Sequence, residues 1–238
     1  MRLKDSIALV TGAGRGIGRA IAVSLSAEGA LVVLNSRSAG ELETVRSEIE
    51  SKGGRAEIAV ADITDDIAVR SAFEDILERH GRIDILVNNA GMGRFAPVRS
   101  LTMTDLDNMW KLNVRALVHC TKLALPAMER NKRGVIVNIS SLAGKNAFVG
   151  GGGYASTKWA LLGFSRCLML EEREHNIRVV TVSPGSVDTT FSPQNDPEKK
   201  QRILSPQDVA DTVLLAVTMP ERAMVSEIDI RPTTPKST

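Results

Sequence analysis

Short, unbroken runs of apolar residues recur along the chain, and between them lie longer stretches whose apolar positions follow helical spacing. Unbroken runs are typical of strands covered on both faces, because neither side of such a strand meets water. Glycines and polar turns separate the two kinds of segment. The predicted strands are residues 6–11, 31–34, 56–61, 83–87, 134–139, 177–182 and 227–230.

Helices are predicted between these strands, at residues 19–27, 40–51, 65–80, 104–129, 155–170 and 206–217. Asp65 is placed to cap the third of them, and Pro206 to open the last. Strands that alternate with helices indicate an α/β fold with a doubly wound parallel sheet. No repeat or linker interrupts the pattern, so we expect a single domain over residues 1–238, with an irregular segment at about 190–205.

The first strand runs directly into a glycine-rich turn and then into a helix. The turn reads Thr11-Gly12-Ala13-Gly14-Arg15-Gly16-Ile17-Gly18. Glycines let the backbone turn tightly and approach a pyrophosphate, while the helix start offers free N–H groups. Strand, glycine turn and helix in this order predict a dinucleotide-binding site.

A second glycine run, residues 150–153, precedes Tyr154 and Lys158. Four glycines predict a loop, because glycine destabilises helix and strand interiors. Tyr154 and Lys158 are four residues apart, so they share one face of the helix that follows. A neighbouring ammonium would lower the pKa of the phenol and suit it to proton transfer. A surface tyrosine with a solvated lysine is the alternative interpretation of so short a motif.

Other candidate residues lie where predicted strands end. They are Asp62, the run 88–91, Ser141 and the pair Pro184-Gly185. In open parallel sheets, ligands bind beyond the carboxyl ends of the strands. This agreement of position favours a functional role for Tyr154 and Lys158.

Together these motifs resemble the short-chain dehydrogenase/reductase family. The resemblance rests on Thr-Gly-x-x-x-Gly-x-Gly at 11–18, Asn-Asn-Ala-Gly at 88–91, Asn113, Ser141, Tyr154-x-x-x-Lys158 and Pro184-Gly185. It implies a seven-stranded Rossmann-type sheet, a nicotinamide cofactor, and hydride transfer between that cofactor and a carbonyl or alcohol carbon.

The resemblance also implies roles. Tyr154 would exchange the proton, Lys158 would lower its pKa and hold the nicotinamide ribose, and Ser141 would bind the substrate oxygen; Ser140 is an equally polar competitor. Asn113, the fourth catalytic candidate, would hold a water through its backbone carbonyl. The full set of cofactor candidates is Gly12, Gly14, Arg15, Gly16, Ile17, Gly18, Ser36, Arg37, Asp62, Ile63, Asn89, Ala90, Gly91, Tyr154, Lys158, Pro184, Gly185, Val187 and Thr189.

The residues after the second strand favour NADP(H) over NAD. NAD enzymes usually place an acidic residue there to bind the adenosine ribose. Here the position is Ser36, and Arg37 follows it. Arg15 lies inside the glycine turn, and guanidinium groups suit phosphate because their donors form a planar fork.

The sequence predicts the substrate less precisely than it predicts the fold or the cofactor. Candidate substrate residues are Arg94, Phe148, Ser141 and Tyr154. The resemblance favours a carbonyl reductase, with a 3-oxoacyl thioester as the first choice of substrate. The alternatives are a dehydrogenase of a small hydroxy acid, sugar or secondary alcohol, and a non-catalytic dinucleotide sensor.

Composition limits which partners, metal sites and cellular locations we expect for this protein. The chain has 238 residues, 43% of them apolar, and a net charge of +2 without a dense block of Lys and Arg, so we expect no nucleic-acid partner. Cys120 and Cys167 are far apart, which argues against a disulfide framework or a metal site. No segment approaches the length of a membrane span, and we expect a cytoplasmic protein. Family members pair the helices beside Tyr154, which predicts a homotetramer or homodimer.

Overall fold

Seven parallel strands form one sheet in the order β3-β2-β1-β4-β5-β6-β7. The computed structural model describes residues 1–191 and 202–234. The strands are β1 (Ile7–Thr11), β2 (Leu31–Ser36), β3 (Arg55–Val60), β4 (Ile85–Asn88), β5 (Gly134–Ile139), β6 (Ile177–Pro184) and β7 (Glu227–Ile230). This arrangement confirms the predicted doubly wound, Rossmann-type parallel sheet.

Helices cover both faces of the sheet. They are α1 (Gly16–Ala27), α2 (Ala39–Ser51), α3 (Asp66–His80), α4 (Met103–Trp110), α5 (Leu117–Asn131), α6 (Gly152–Glu172) and α7 (Pro206–Val217). Short 3-10 turns lie at Val98–Ser100, Leu142–Gly144 and Arg173–His175. Alternate residues of β1 point to opposite faces: Ala8 and Val10 join the core under α1, α2 and α7, whereas Ile7 and Leu9 join the core under α3, α5 and α6.

Local sequence explains where several helices begin. The Asp65 side chain accepts hydrogen bonds from the N–H groups of Ile67 and Ala68, which confirms the predicted cap of α3. Ser205 and Asp208 form a reciprocal capping box at the start of α7, with Pro206 at its first position. Element boundaries otherwise differ from the prediction by one to three residues, as when β2 continues to Ser36 and α1 begins at Gly16.

Two helix predictions are wrong in more than their ends. The predicted helix 104–129 is α4, then a π-helix over Lys111–Ala116, then α5, so Asn113 lies on the π-helix. The predicted loop of four glycines ends early, because α6 already begins at Gly152. A Cβ added at Gly153 would lie 2.6 Å from Cε of Met109. Gly153 therefore allows the first turn of α6 to pack against α4, and this packing outweighs the low helix propensity of glycine.

The strand order reverses between β1 and β4, since β2 and β3 lie on one side of β1 and β4 to β7 on the other. This switch point opens a crevice at the carboxyl ends of the two strands. The predicted irregular segment at 190–205 falls mainly on residues 192–201, which lie outside the described residues. Next to that segment, Leu204 forms an isolated parallel bridge with Val187.

Candidate active site

The turn after β1 has the close backbone contacts that only glycine permits. Gly12 and Gly16 have φ values of +65° and +55°. A Cβ at Gly18 would lie 2.2 Å from the carbonyl oxygen of Gly12, so a side chain there would displace α1 from the turn. Arg15, which precedes α1, makes no side-chain cap. The glycine turn and the N–H groups of the first helical turn thus fit a dinucleotide pyrophosphate.

One hydroxyl joins this turn to the loop after β4. Oγ1 of Thr11 donates to the carbonyl of Val87 (3.2 Å) and accepts from the N–H groups of Asn89 (3.0 Å) and Ala90 (3.1 Å). The Asn89 amide in turn donates to the carbonyls of Thr11 (2.9 Å) and Gly12 (3.2 Å). The sequence analysis did not assign this role to Thr11, because the contacts span more than 70 residues of chain.

The next strands are joined by buried side-chain amides. Nδ2 of Asn88 donates to Oδ1 of Asn138 (2.9 Å) and to Oγ1 of Thr121 (3.1 Å), and Nδ2 of Asn138 donates to Oγ of Ser165 (2.9 Å). Buried amides that are paired in this way fix the register of β4 and β5 beside the site.

The residues expected after β2 and β3 lie together at the adenosine end, beside two carboxylates, of which Asp62 was expected and Glu41 was not. Arg37 lies 3.5 Å from Oδ2 of Asp62, and its side chain is 78% exposed. Arg15 lies 3.3 Å from Oε1 of Glu41, in the first turn of α2. A Cβ at Gly14 would lie 2.8 Å from the Glu41 carboxylate and 3.4 Å from Oγ of Ser36. The sequence analysis missed Glu41, which is 26 residues from Arg15 in the chain. The predicted Ile63 is buried beside Asp62.

At the other end of the crevice, Tyr154 and Lys158 are both buried on the first turns of α6. The side chain of Ser141 lies beside Tyr154 and acts to lower the pKa of the phenol. Its Oγ also accepts from the N–H of Ala143 (3.1 Å). Nζ of Lys158 donates to the carbonyl of Ile139 (3.0 Å) and lies 5.8 Å from the centre of the tyrosine ring. Of the two competing serines, Ser141 is the one beside Tyr154. Ser140 is buried, and its Oγ has no hydrogen-bond partner among the residues that the structure describes.

The expected fall in the pKa of Tyr154 is wrong for the chain by itself. Burial raises the pKa of Tyr154 to about 12, although the Ser141 side chain beside it acts in the opposite direction. Burial also lowers the pKa of Lys158 to about 8. Both shifts have one physical cause, since each side chain is removed from water and so resists becoming charged.

Asn113 links the loop after β4 to α6 through its side chain. Its Oδ1 accepts from the N–H of Met92 (2.8 Å), and its Nδ2 donates to the carbonyl of Met92 (2.8 Å) and to Oγ1 of Thr157 (3.0 Å). A Cβ at Gly91 would lie 3.2 Å from Oδ1 of Asn113 and 3.8 Å from Nζ of Lys158. Gly91 therefore packs closely beside the buried lysine.

The segment after β6 closes back onto the glycine turn. The N–H of Gly185 donates to the carbonyl of Ile230 (2.8 Å), which anchors the Pro184-Gly185 corner to β7. Cγ2 of Thr189 lies 3.3 Å from the position of a Cβ at Gly16. Thr189, expected at the nicotinamide end, thus lies beside the glycine turn.

Three phenylalanine side chains lie near Tyr154 and form a continuous series of rings with it. We call this set the aromatic arc: Phe95, Phe148, Phe191 and Tyr154. Neighbouring rings lie 5.9 Å (Phe95 and Phe148), 5.4 Å (Phe95 and Tyr154) and 5.8 Å (Tyr154 and Phe191) apart. The predicted substrate residue Phe148 belongs to the arc. The other one, Arg94, instead lies 3.7 Å from the carboxylate of Asp105 in α4.

Within residues 1–191 and 202–234, no helix is long and apolar enough to cross a membrane. No group of three or more His, Cys, Asp or Glu side chains in the same ranges is arranged to hold a metal ion.

Comparisons with known proteins agree with this geometry. The chain is 37% identical over 234 residues to a sepiapterin reductase of Chlorobaculum tepidum, covering 95% of this chain and 96% of the relative. An uncharacterized oxidoreductase of Staphylococcus aureus strain MRSA252 is 33% identical over 230 residues, covering 97% and 98%.

Solved structures give the same result. A metagenomic short-chain oxidoreductase in complex with NADP has a TM-score of 0.88 and 38% identity, with 99% of this chain and 100% of that chain covered. A 7α-hydroxysteroid dehydrogenase complexed with NADH and 7-oxo glycochenodeoxycholic acid has a TM-score of 0.92 and 32% identity, covering 99% and 96%. The sequence model of the short chain dehydrogenase family matches residues 6–200. The chain therefore belongs to the short-chain dehydrogenase/reductase family of oxidoreductases.

Proposed function

We propose that the protein is an NADP(H)-dependent oxidoreductase that interconverts a carbonyl and a secondary alcohol. The observation that carries the proposal is the convergence of Ser141, Tyr154 and Lys158 at one end of the crevice whose other end is the glycine turn. A non-catalytic dinucleotide sensor would have no need to keep these three side chains together.

The cofactor would lie along the crevice. The glycine turn and the start of α1 would hold its pyrophosphate, Asp62 and Ile63 its adenine, and Lys158 its nicotinamide ribose. Residues 184–189, of which Thr189 lies beside Gly16 of the glycine turn, would contact the nicotinamide end. When bound, the cofactor supplies a hydride to the carbonyl carbon, or accepts one from the alcohol carbon.

Tyr154 would protonate the oxygen of the substrate, and Ser141 would bind it. The raised pKa keeps the phenol protonated at neutral pH, so Tyr154 can donate its proton to the oxygen as the carbon is reduced. The Ser141 hydroxyl would donate a hydrogen bond to the same oxygen and stabilise the developing negative charge. Lys158, with its pKa lowered to about 8, carries a proton that is exchangeable close to neutral pH. We propose that Asn113 positions this group through Thr157, the residue before it.

NADP(H) is favoured over NAD(H) by charge. Ser36 occupies the place of the usual acidic residue, and Arg15 and Arg37 lie at the same end of the crevice. Arginine binds phosphate more strongly than a neutral donor does, because its hydrogen bonds are charge-assisted. One similar protein was solved with NADP and another with NADH, so the residues of this chain decide the assignment.

The family resemblance makes a 3-oxoacyl thioester one candidate substrate, with a small hydroxy acid, sugar or other secondary alcohol as the alternatives. The same resemblance underlies our proposal of a homotetramer or homodimer. We propose a single domain because no repeat or linker interrupts the pattern of the sequence, and a cytoplasmic location on the basis of composition.

Two adjacent serines provide a matched test of the active site. NADPH oxidation would be measured with a panel of 3-oxoacyl thioesters, diketones and aldehydes for the wild type, Tyr154→Phe, Ser141→Ala and Ser140→Ala. Tyr154→Phe should lower kcat by about 10²–10⁴-fold, the usual contribution of a positioned acid, while NADPH still binds. Ser141→Ala should also lose activity, and Ser140→Ala should retain it. Full activity in Tyr154→Phe, or equal losses in both serine variants, would reject the assigned roles.

A further inference from the structure

The aromatic arc concentrates a rare kind of side chain at the reacting end of the crevice. The chain has only five phenylalanines and one tyrosine. Phe95 and Phe191 pair directly with the tyrosine ring, and Phe148 pairs with Phe95. Phe95, Phe148 and Phe191 are 45–50% exposed, whereas Tyr154 is 8% exposed. The other two phenylalanines, Phe73 and Phe164, instead pack in the core of the sheet.

The backbone is shaped to seat these rings. A Cβ at Gly151 would lie 2.5 Å from ring carbons of Phe148, so this ring lies directly against the glycine backbone. A Cβ at Gly93 would lie 2.8 Å from the ring of Phe191 and 3.1 Å from that of Phe95. Cβ contacts under 3.0 Å essentially do not occur, so a side chain at either position would displace Phe148 or Phe191 from the place it occupies. Glycine at these two positions therefore allows the rings to pack in the observed arrangement.

The angles between the rings leave their outer faces and edges available. Phe95 meets Tyr154 edge-on at 77°, and its neighbour Phe148 is tilted by 55°. A flat ligand ring can add to such an array in the offset or edge-to-face geometry that aromatic pairs prefer. Because Phe95 adjoins the Tyr154 ring, a ligand ring packed on Phe95 would carry a directly attached carbonyl close to the Tyr154 hydroxyl.

From this arrangement we infer that the substrate carbonyl is borne by an aromatic or conjugated planar ring, which packs against Phe95 and Phe148. The inference rests on the proposed carbonyl reduction and specifies its substrate class. It favours an aryl carbonyl over the extended 3-oxoacyl thioester. The saturated chain of a thioester would gain contact area on the arc but not the geometry-dependent attraction between rings.

A matched pair of diketones tests the inference. The probes are 1-phenylpropane-1,2-dione and 1-cyclohexylpropane-1,2-dione, which share a carbon framework and differ in whether the ring is aromatic. The variants Phe95→Leu and Phe148→Leu keep an apolar side chain but remove the ring. Phe164→Leu is the control, since it lies ten residues beyond Tyr154 on α6, about 15 Å along the helix axis.

Each arc variant should lower kcat/KM for the phenyl diketone by about 2- to 13-fold more than for the cyclohexyl diketone, which is the range expected for one aromatic pair. Phe164→Leu should change both substrates equally. If the arc variants also change both substrates equally, the inference is overturned while the proposed reduction stands. Turnover of a 3-oxobutanoyl thioester but of neither diketone would overturn it as well. Absence of NADPH-dependent turnover with every carbonyl compound would instead reject the proposed function.

Discussion

Glu41 controls how freely Arg15 can meet a 2′-phosphate, so neutralising Glu41 tests the assignment of NADP(H) directly. Its carboxylate lies 3.3 Å from the Arg15 guanidinium and packs against Gly14, close to Ser36. A phosphate bound here would compete with Glu41 for Arg15 and would also be repelled by it. Glu41→Gln removes both effects while retaining the size of the side chain.

The expected gain is modest, because the site faces water. An exposed ion pair contributes about 0.2–1 kcal/mol. The free energy of NADPH binding is less favourable by this amount when the phosphate must displace Glu41 from Arg15. Two unit charges about 4 Å apart in water repel by about 1 kcal/mol more. Together these effects amount to roughly 1–2 kcal/mol, so Glu41→Gln should tighten NADPH binding by about 5- to 30-fold.

Kd for NADPH and NADH would be measured by fluorescence titration at low and high salt. Glu43→Gln is the matched control, because Glu43 lies on the same helix and pairs with Arg46 instead (2.6 Å). The gain should be confined to Glu41→Gln with NADPH and should shrink at high salt, since exposed charges are then screened. Unchanged or weaker NADPH binding, or an equal gain in Glu43→Gln, would refute the reasoning.

Three further predictions concern stability and assembly. Burial lowers the pKa of Lys158 from 10.5 to about 8, so the unfolded chain binds more protons than the folded protein between these values. The free energy of unfolding should therefore rise by about 2 kcal/mol from pH 7 to 9.5. Urea titration of the cofactor-free protein should show this rise in the wild type but not in Lys158→Met, and equal rises in both would contradict the prediction. Gly18→Ala should destabilise the fold by about 1–3 kcal/mol through overpacking. Gly163→Ala should instead stabilise it by about 0.5–1 kcal/mol, because a Cβ at this helical position would meet no other described part of the chain within 4 Å. Urea midpoints that rank the two variants in the opposite order would count against the close contact at Gly18. Light scattering at micromolar concentration should give two or four times the chain mass of 25.6 kDa, and a monomer alone would reject the predicted assembly.

The centre of the sheet was predictable from the sequence because β1, β4 and β5 are buried on both faces and appear as short, mainly apolar runs. The edge strands β3 and β7 are partly exposed and carry charged residues. The alternation of strands with helices then allows few topologies. The glycine turn was equally readable, since Gly12, Gly16 and Gly18 are required by backbone conformation and close contact within one short segment.

Features that depend on distant contacts could not be read in this way. Glu41 meets Arg15 only when α2 packs beside the glycine turn, and the arc joins residues from three separate loops and one helix. The pKa of Tyr154 was misjudged for a related reason. Spacing along a helix shows that Lys158 is near, but it does not show how much water both groups lose on folding.

The π-helix at Lys111–Ala116 has a consequence for how this protein tolerates changes in chain length. A π turn contains about one residue more than an α turn. The segment can therefore be regarded as an α-helix into which one residue has been inserted. Deleting one residue would restore the ordinary pitch and leave α4 and α5 almost in place, because five α-helical residues turn through nearly the same angle as six π-helical ones. It would, however, shift the side chains inside the segment by about one position. Asn113 could then no longer face both Met92 and Thr157 while α5 kept its buried side against the sheet. The number of residues in this helical segment is therefore fixed by the contacts of the site. In most surface helices, the effect of inserting or deleting a residue depends only on the packing of that helix.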